Sequence, residues 1–466
     1  MSENITHCAG VELRRQVAEG ALSVAEIVDA HLDAIEKRNP ALNAYCTIAA
    51  ERARAQATEA DVRLARGASP RPLEGFTVAV KDITETQGIR TTYGSKLYRD
   101  YVPSFDNSVV GRLKDAGAIL LGKSNTSEFA AGAHATNELF GPTRNPWNTA
   151  LTAGGSTGGG AAAVSACMAT VAEGSDLGGS LRIPASFCGV VGLRPTEGLV
   201  PTFPSSAPWD TLQVQGPIAR HAEDLVTVLA AIAGHDPRSP VSAPVAYNVL
   251  EQINQCESKK LRIAYVDTLS GIRPDSAISK SSEEALQKLA AVGVEVEQVD
   301  LDLSDGRDAF IALRGMHMVQ HHVDRLEQLD QLGPNLRKNL EQGLRITAKD
   351  AALAEKTRAS LTARLGKVLE RYDAVVTPCM PIEPFPVEQN YPTEINGKPM
   401  ETYIDWVAQT FLVTLASVPA ASVPFGLSSR GLPMGWQLIG ARWKDGEVLA
   451  LAKRIQSVLD IGMPPL

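Results

Sequence analysis

The sequence predicts an α/β fold, and three observations carry that prediction. Short apolar, β-branched runs alternate with stretches of helical periodicity along the whole chain. Hydrophobic residues make up 44% and charged residues 21%, ordinary globular proportions that allow a sizeable buried core. No internal repeat, low-complexity segment or linker-like stretch divides the 466 residues, so one large domain and two intimately packed halves both fit.

Near the N-terminus, Ser23-Val24-Ala25-Glu26 reads as a capping box that opens a helix with Ile27, Val28, Leu32 and Ile35 on one face; Asn39-Pro40 is expected to end it. A polar, alanine- and arginine-rich helix follows over roughly 49–64. Phe76–Val80 reads as a buried strand ending at Lys81-Asp82, 107–116 as a helix and 118–123 as a second buried strand. A glycine-rich loop leads into an alanine helix over about 158–170, and 189–195 is strand-like. Strands are then expected at 261–266 and 294–299 around a helix at 276–291. Two long polar helices follow over 306–331 and 347–372, then strands at 374–378 and 421–424, and a closing helix at 447–458.

The formal net charge of -8 leaves no basic footprint for nucleic acid and favours small, neutral or weakly charged ligands. No run of 18 apolar residues exists, so no membrane span is expected. Met1–Gly20 lacks the apolar centre of a secretory signal, and none of the six cysteines forms a C-x-x-C pair. The expectation is a cytoplasmic protein with reduced thiols.

Two serine-bearing glycine loops dominate the chemistry: Gly154-Gly155-Ser156-Thr157-Gly158-Gly159-Gly160 and Gly174-Ser175-Asp176-Leu177-Gly178-Gly179-Ser180. Glycine at this density suits loops whose backbone N–H groups must point at an anion or a developing negative charge. Taken alone, a tight turn needing positive φ is the far commoner reason for such a loop. Ser156 fits G-x-S-x-G, but no clear strand precedes it, as a nucleophile elbow requires. Walker A and dinucleotide fingerprints fail on spacing.

A serine nucleophile needs a base. None of the eight histidines lies near these loops in sequence. His317 and His321 stand four apart on an expected helix, a spacing that can serve a metal, but no third ligand is evident and polar surface histidines are expected. Lys81 ends an apolar strand, where desolvation can hold it neutral; doing so at pH 7 costs about 4–5 kcal/mol, and taken alone the residue reads as a lysine snorkelling from a strand end.

Together these residues resemble the amidase signature family. The run from Gly154 through Thr196 carries the resemblance most specifically, and Val78-Ala79-Val80-Lys81-Asp82, Leu121–Asn125, Gly141–Trp147 and Gly431–Gly440 extend it over almost the whole chain. The resemblance implies one large domain with a mixed central sheet flanked by helices on both faces. Its parts would be a helical segment over about 1–70, a signature core over 71–220, a variable helical region over 221–372 and a C-terminal sheet and helix over 373–466. It also implies roles. Ser180 would be the acylated nucleophile, and Ser156, held by a cis peptide, the bridging serine. Lys81 would be the base, 75 residues before Ser156, which itself lies 24 before Ser180. The N–H groups of Leu177, Gly178, Gly179 and Ser180 would form an oxyanion hole, with Ala130 contacting substrate. No cofactor and no metal are expected, and the implied partner is a small-molecule amide, with a homodimer as a family-level expectation. Thr157 replaces a common serine, Leu177 replaces the commoner threonine, and the loop Phe203–Leu212, with Trp209 and Asp210, carries no family identity. Two other readings share the fold: the glutamine-hydrolysing A subunit of a tRNA-dependent amidotransferase, and a catalytically silent binding relative. A Ser–His–Asp hydrolase using Ser156 is a third.

Overall fold

A computed structural model describes residues 2–242, 248–257 and 259–465. The first long helix, Val24–Leu42, opens on the expected box: Ser23 Oγ accepts the Glu26 N–H, and the Glu26 carboxylate accepts the Ser23 N–H. It does not stop at Pro40. Asn39 carries it past the proline, because its carbonyl accepts the Asn43 N–H and its side-chain oxygen accepts those of Ala44 and Tyr45. Asn43 then closes the turn in the left-handed region.

The centre of the molecule is one eleven-stranded sheet. Its order is Tyr45–Ile48, Ile119–Ser124, Thr77–Lys81, Val171–Asp176, Val214–Ala219, Val191–Arg194, Ala420–Leu427, Pro433–Ile439, Ala374–Pro378, Arg262–Tyr265, Glu295–Gln298. Thr77–Lys81 runs parallel to both its neighbours, and Arg262–Tyr265 likewise, while the strands between the two groups pair antiparallel. The sheet is therefore mixed. Period-two alternation splits it into two faces. Val78, Val80, Leu120 and Val376 pack with Leu113, Leu229, Leu286 and Leu449 of helices on one side. Ala79, Leu121 and Ala172 pack with Ile27, Val28 and Ala161–Val164 on the other, where Ala264 and Val375 meet Phe310, Leu361 and Phe411 further along. The chain is thus a single large α/β domain.

Several expected elements differ. The alanine helix is Gly158–Ser165 and stops short of Thr170, whose hydroxyl and N–H pair with Thr77 and start the strand Val171–Asp176. The second glycine loop thus begins as a strand. Val214–Ala219 and Pro433–Ile439 are fully buried strands whose glycines and prolines hid the pattern. The helix expected over 306–331 breaks after His322, continues as 3₁₀ turns and gives way to Pro334–Gly343. The other long helix, Ala348–Leu369, opens on a Thr347–Asp350 capping box. Among the described residues no helix is long and apolar enough to cross a membrane.

Candidate active site

Lys81 is the last residue of its strand and shares a face with Ala79, toward the helix that starts at Gly158. Both Lys81 and Ser156 are fully buried. Lys81 Nζ donates to Ser156 Oγ at 2.7 Å and to Ser175 Oγ at 3.0 Å. Burial pulls the ammonium down from its ordinary 10.5 to about 7, against the opposing pull of Glu173 and Asp176. The Gly155–Ser156 peptide is cis. Gly155 admits no side chain, since a Cβ there would stand 2.7 Å from the backbone of His134 and Ala135.

The second loop turns around a buried carboxylate. Asp176 accepts the Gly179 N–H at 2.9 Å, the Leu181 N–H at 3.2 Å and two guanidinium N–H groups of Arg182 at 2.8 and 2.9 Å. Burial alone would raise its pKa, but Arg182 and Arg194 hold it at about 2. Gly179 departs from its expected role here. Its N–H is committed to Asp176, so it braces the turn instead of facing a reacting oxygen. Its φ of +120°, and a Cβ position 2.3 Å from Thr410 Oγ1, leave glycine as the residue that fits. Among the described residues the N–H groups of Leu177, Gly178 and Ser180 meet no acceptor. The Ser180 carbonyl accepts the Thr157 N–H at 3.2 Å, tying the two glycine loops together.

Ser180, Leu177, Gly178 and Ala130 line one cleft of about 510 Å³, counted with its opening to solvent. Its other walls are mostly apolar, including Phe129, Ile183, Phe310, Met318, Ile404 and Val407. Phe129 and Ala130 both adopt positive φ, +46° and +59°, a conformation that L-residues keep only under constraint. Arg314 is the only charged side chain among the lining residues, and it is tied to Asn339 Oδ1 at 2.6 Å and to the Tyr403 hydroxyl.

Sequence reading passed over the polar set behind Lys81. Glu173 accepts the Lys81 N–H at 3.2 Å and the Thr84 hydroxyl at 3.1 Å, and burial raises its carboxyl. Lys123, also fully buried, donates to Thr84 O and to Thr86 Oγ1. A lysine in each of two adjacent apolar strands was the available signal. The surface position expected of the histidine pair does not hold for His317, which is only 6% exposed and whose ring faces Asp210.

The Amidase family model matches residues 26–449. The chain is 36% identical to the A subunit of the glutamyl-tRNA(Gln) amidotransferase of Geobacter metallireducens, over 95% of each protein. Its structure superposes on a bacterial aryl acylamidase of the amidase signature family with TM-score 0.89, at 26% identity, covering 97% of this chain and 96% of the other. It superposes on the A subunit of the Thermotoga maritima glutamyl-tRNA(Gln) amidotransferase with TM-score 0.78, at 30% identity, covering 99% and 98%. The large α/β domain, its mixed sheet and its paired glycine loops are those of an amidase-type protein. The chain belongs to the amidase signature family, and membership supports amidohydrolase activity.

Proposed function

We propose that this protein hydrolyses the C–N bond of a small, largely apolar amide through a Ser180 acyl-enzyme. The observation that carries the reading is the buried Lys81 Nζ, 2.7 Å from Ser156 Oγ, with a pKa drawn to about 7. A neutral amine is then available at physiological pH, as a general base needs. Lys81 accepts the Ser156 proton while Ser156 accepts that of Ser180. Ser180 Oγ attacks the carbonyl, and the N–H groups of Leu177, Gly178 and Ser180 hold the developing oxyanion. The relay returns its proton to the leaving nitrogen, the C–N bond breaks, and water admitted by the same route releases the acid. Carbamates and esters suit the same chemistry.

The relatives named as amidotransferase A subunits favour a second reading, release of ammonia from glutamine within a larger complex. The lining of the Ser180 cleft speaks against it. Free glutamine carries an α-ammonium, and the described lining residues offer no carboxylate to receive it. A panel of aryl amides, aliphatic amides, carbamates, esters and glutamine, run beside Ser180→Ala, tests the choice. The reading expects turnover of apolar amides with glutamine inert. Glutamine turnover with apolar amides inert would overturn the substrate assignment, and full activity of Ser180→Ala would overturn the mechanism.

A further inference from the structure

His317 and His321 lie one turn apart on helix Arg307–His322, with ring centroids 4.3 Å apart. The segment before strand Val214–Ala219 brings Asp210 against them. One donor atom from each of the three residues lies within 4.8 Å of the other two. Both histidines line a second cavity, which shares Phe129, Ser175, Gln213 and Met318 with the cleft at Ser180.

Three details separate this cluster from a plain buried ion pair. His317 Nδ1 stands 3.2 Å from Asp210 Oδ2, near enough for both to reach one ion. Two donors on one tetrahedral ion, each bonded at about 2.0–2.1 Å, stand about 3.3 Å apart. His321 Nε2 is buried without a hydrogen-bond partner, while its Nδ1 pairs with Ser206 Oγ at 2.8 Å. One ring nitrogen free for an ion and the other held by an outer partner is how ligating imidazoles are oriented. Asp210 is fixed from behind, because its carboxylate accepts the N–H groups of Leu212 at 2.8 Å and Gln213 at 3.0 Å.

We propose that Asp210, His317 and His321 form a binding site for a first-row divalent cation of the zinc class. Two imidazoles and one carboxylate suit such an ion and suit calcium or magnesium poorly. Because no donor pair lies beyond 4.8 Å, drawing each to about 3.3 Å takes at most about 1.5 Å of combined side-chain movement. The bound ion would clip the segment carrying Asp210 and Ser206 to the helix beside the catalytic cleft, with further coordination positions open to the second cavity.

The test uses full-length protein stripped with chelator, then titrated with zinc chloride by calorimetry and with cobalt(II) by visible absorption. One equivalent should bind, with cobalt d–d bands of a low-coordinate nitrogen–oxygen site and no thiolate charge-transfer band. Asp210→Asn, which keeps one oxygen for the Leu212 or the Gln213 N–H, and His321→Ala should each weaken binding at least 100-fold with an unchanged circular dichroism spectrum. Ser206→Ala should weaken it about 10-fold or more through loss of the outer partner. Absence of a stoichiometric site, a thiolate band, or wild-type affinity in both Asp210→Asn and His321→Ala would overturn the proposal.

Discussion

Replacing Lys81 by Met should abolish amide hydrolysis and, at neutral pH, make the protein more stable. In the folded chain the lysine titrates at about 7, against an ordinary 10.5. A base whose folded pKa lies below its unfolded value leaves the folded state holding fewer protons. Its cost is therefore complete below pH 7 and is relieved as pH rises from 7 toward 10.5. At about 1.4 kcal/mol per pH unit, the cost is of order 4–5 kcal/mol at pH 7 and about 1 kcal/mol at pH 9.5. The variant escapes it but leaves the Ser156 and Ser175 hydroxyls each short of a donor, at about 1 kcal/mol apiece. A net gain of about 2–3 kcal/mol at pH 7 remains. With an unfolding entropy near 2.1 cal/mol/K per residue, that raises the melting temperature of this chain by about 2–3 °C. Calorimetric melts of wild type and variant at pH 7 and pH 9.5, beside an activity assay, read both effects. The advantage should vanish or reverse at pH 9.5. A variant destabilised equally at both pH values, or one still active, would refute the reasoning.

Wild-type activity should follow the neutral fraction of Lys81, about half at pH 7 and about 1% at pH 5, with an acid limb of unit slope in kcat/KM; a rate peaking near pH 5 contradicts it. Ser156→Ala should lower kcat by about 10²–10⁴ with little change in KM, whereas Ser180→Ala should also block labelling by a fluorophosphonate, followed by intact mass. Gly179→Ala should destabilise the fold by about 1–3 kcal/mol in denaturant melts, since it imposes positive φ on a side chain and meets Thr410. Arg182→Met should cost about 3–5 kcal/mol by leaving Asp176 charged, buried and half-unpaired.

The alternation of elements was legible because most strands are short apolar runs with clean ends, as at Thr77–Lys81 and Ala374–Pro378. Val171–Asp176 and Pro433–Ile439 escaped because residues that weaken a strand in isolation lie inside fully paired, fully buried ones, where neighbouring strands override propensity. Lys81, Ser156 and Ser180 were nameable from motif and resemblance. The commitment of the Gly179 N–H was not, since it depends on which way the Asp176 side chain turns. Nor was the meeting of Asp210 with His317, because residues 107 positions apart acquire a relation only when the loop folds onto the helix.

Arg182 ties the turn before Ser180 to distant chain. Its guanidinium reaches the Thr410 carbonyl, the Thr414 hydroxyl and the Gln437 side chain, more than 220 residues downstream. A ribosome emits those residues long after both glycine loops. A nascent chain that has already released both serines and the lysine still lacks the anchor that shapes their loop. The final shape of the loop therefore waits for residues 410–437, and a chain cut before residue 410 should keep Lys81, Ser156 and Ser180 yet lack the anchor around Asp176.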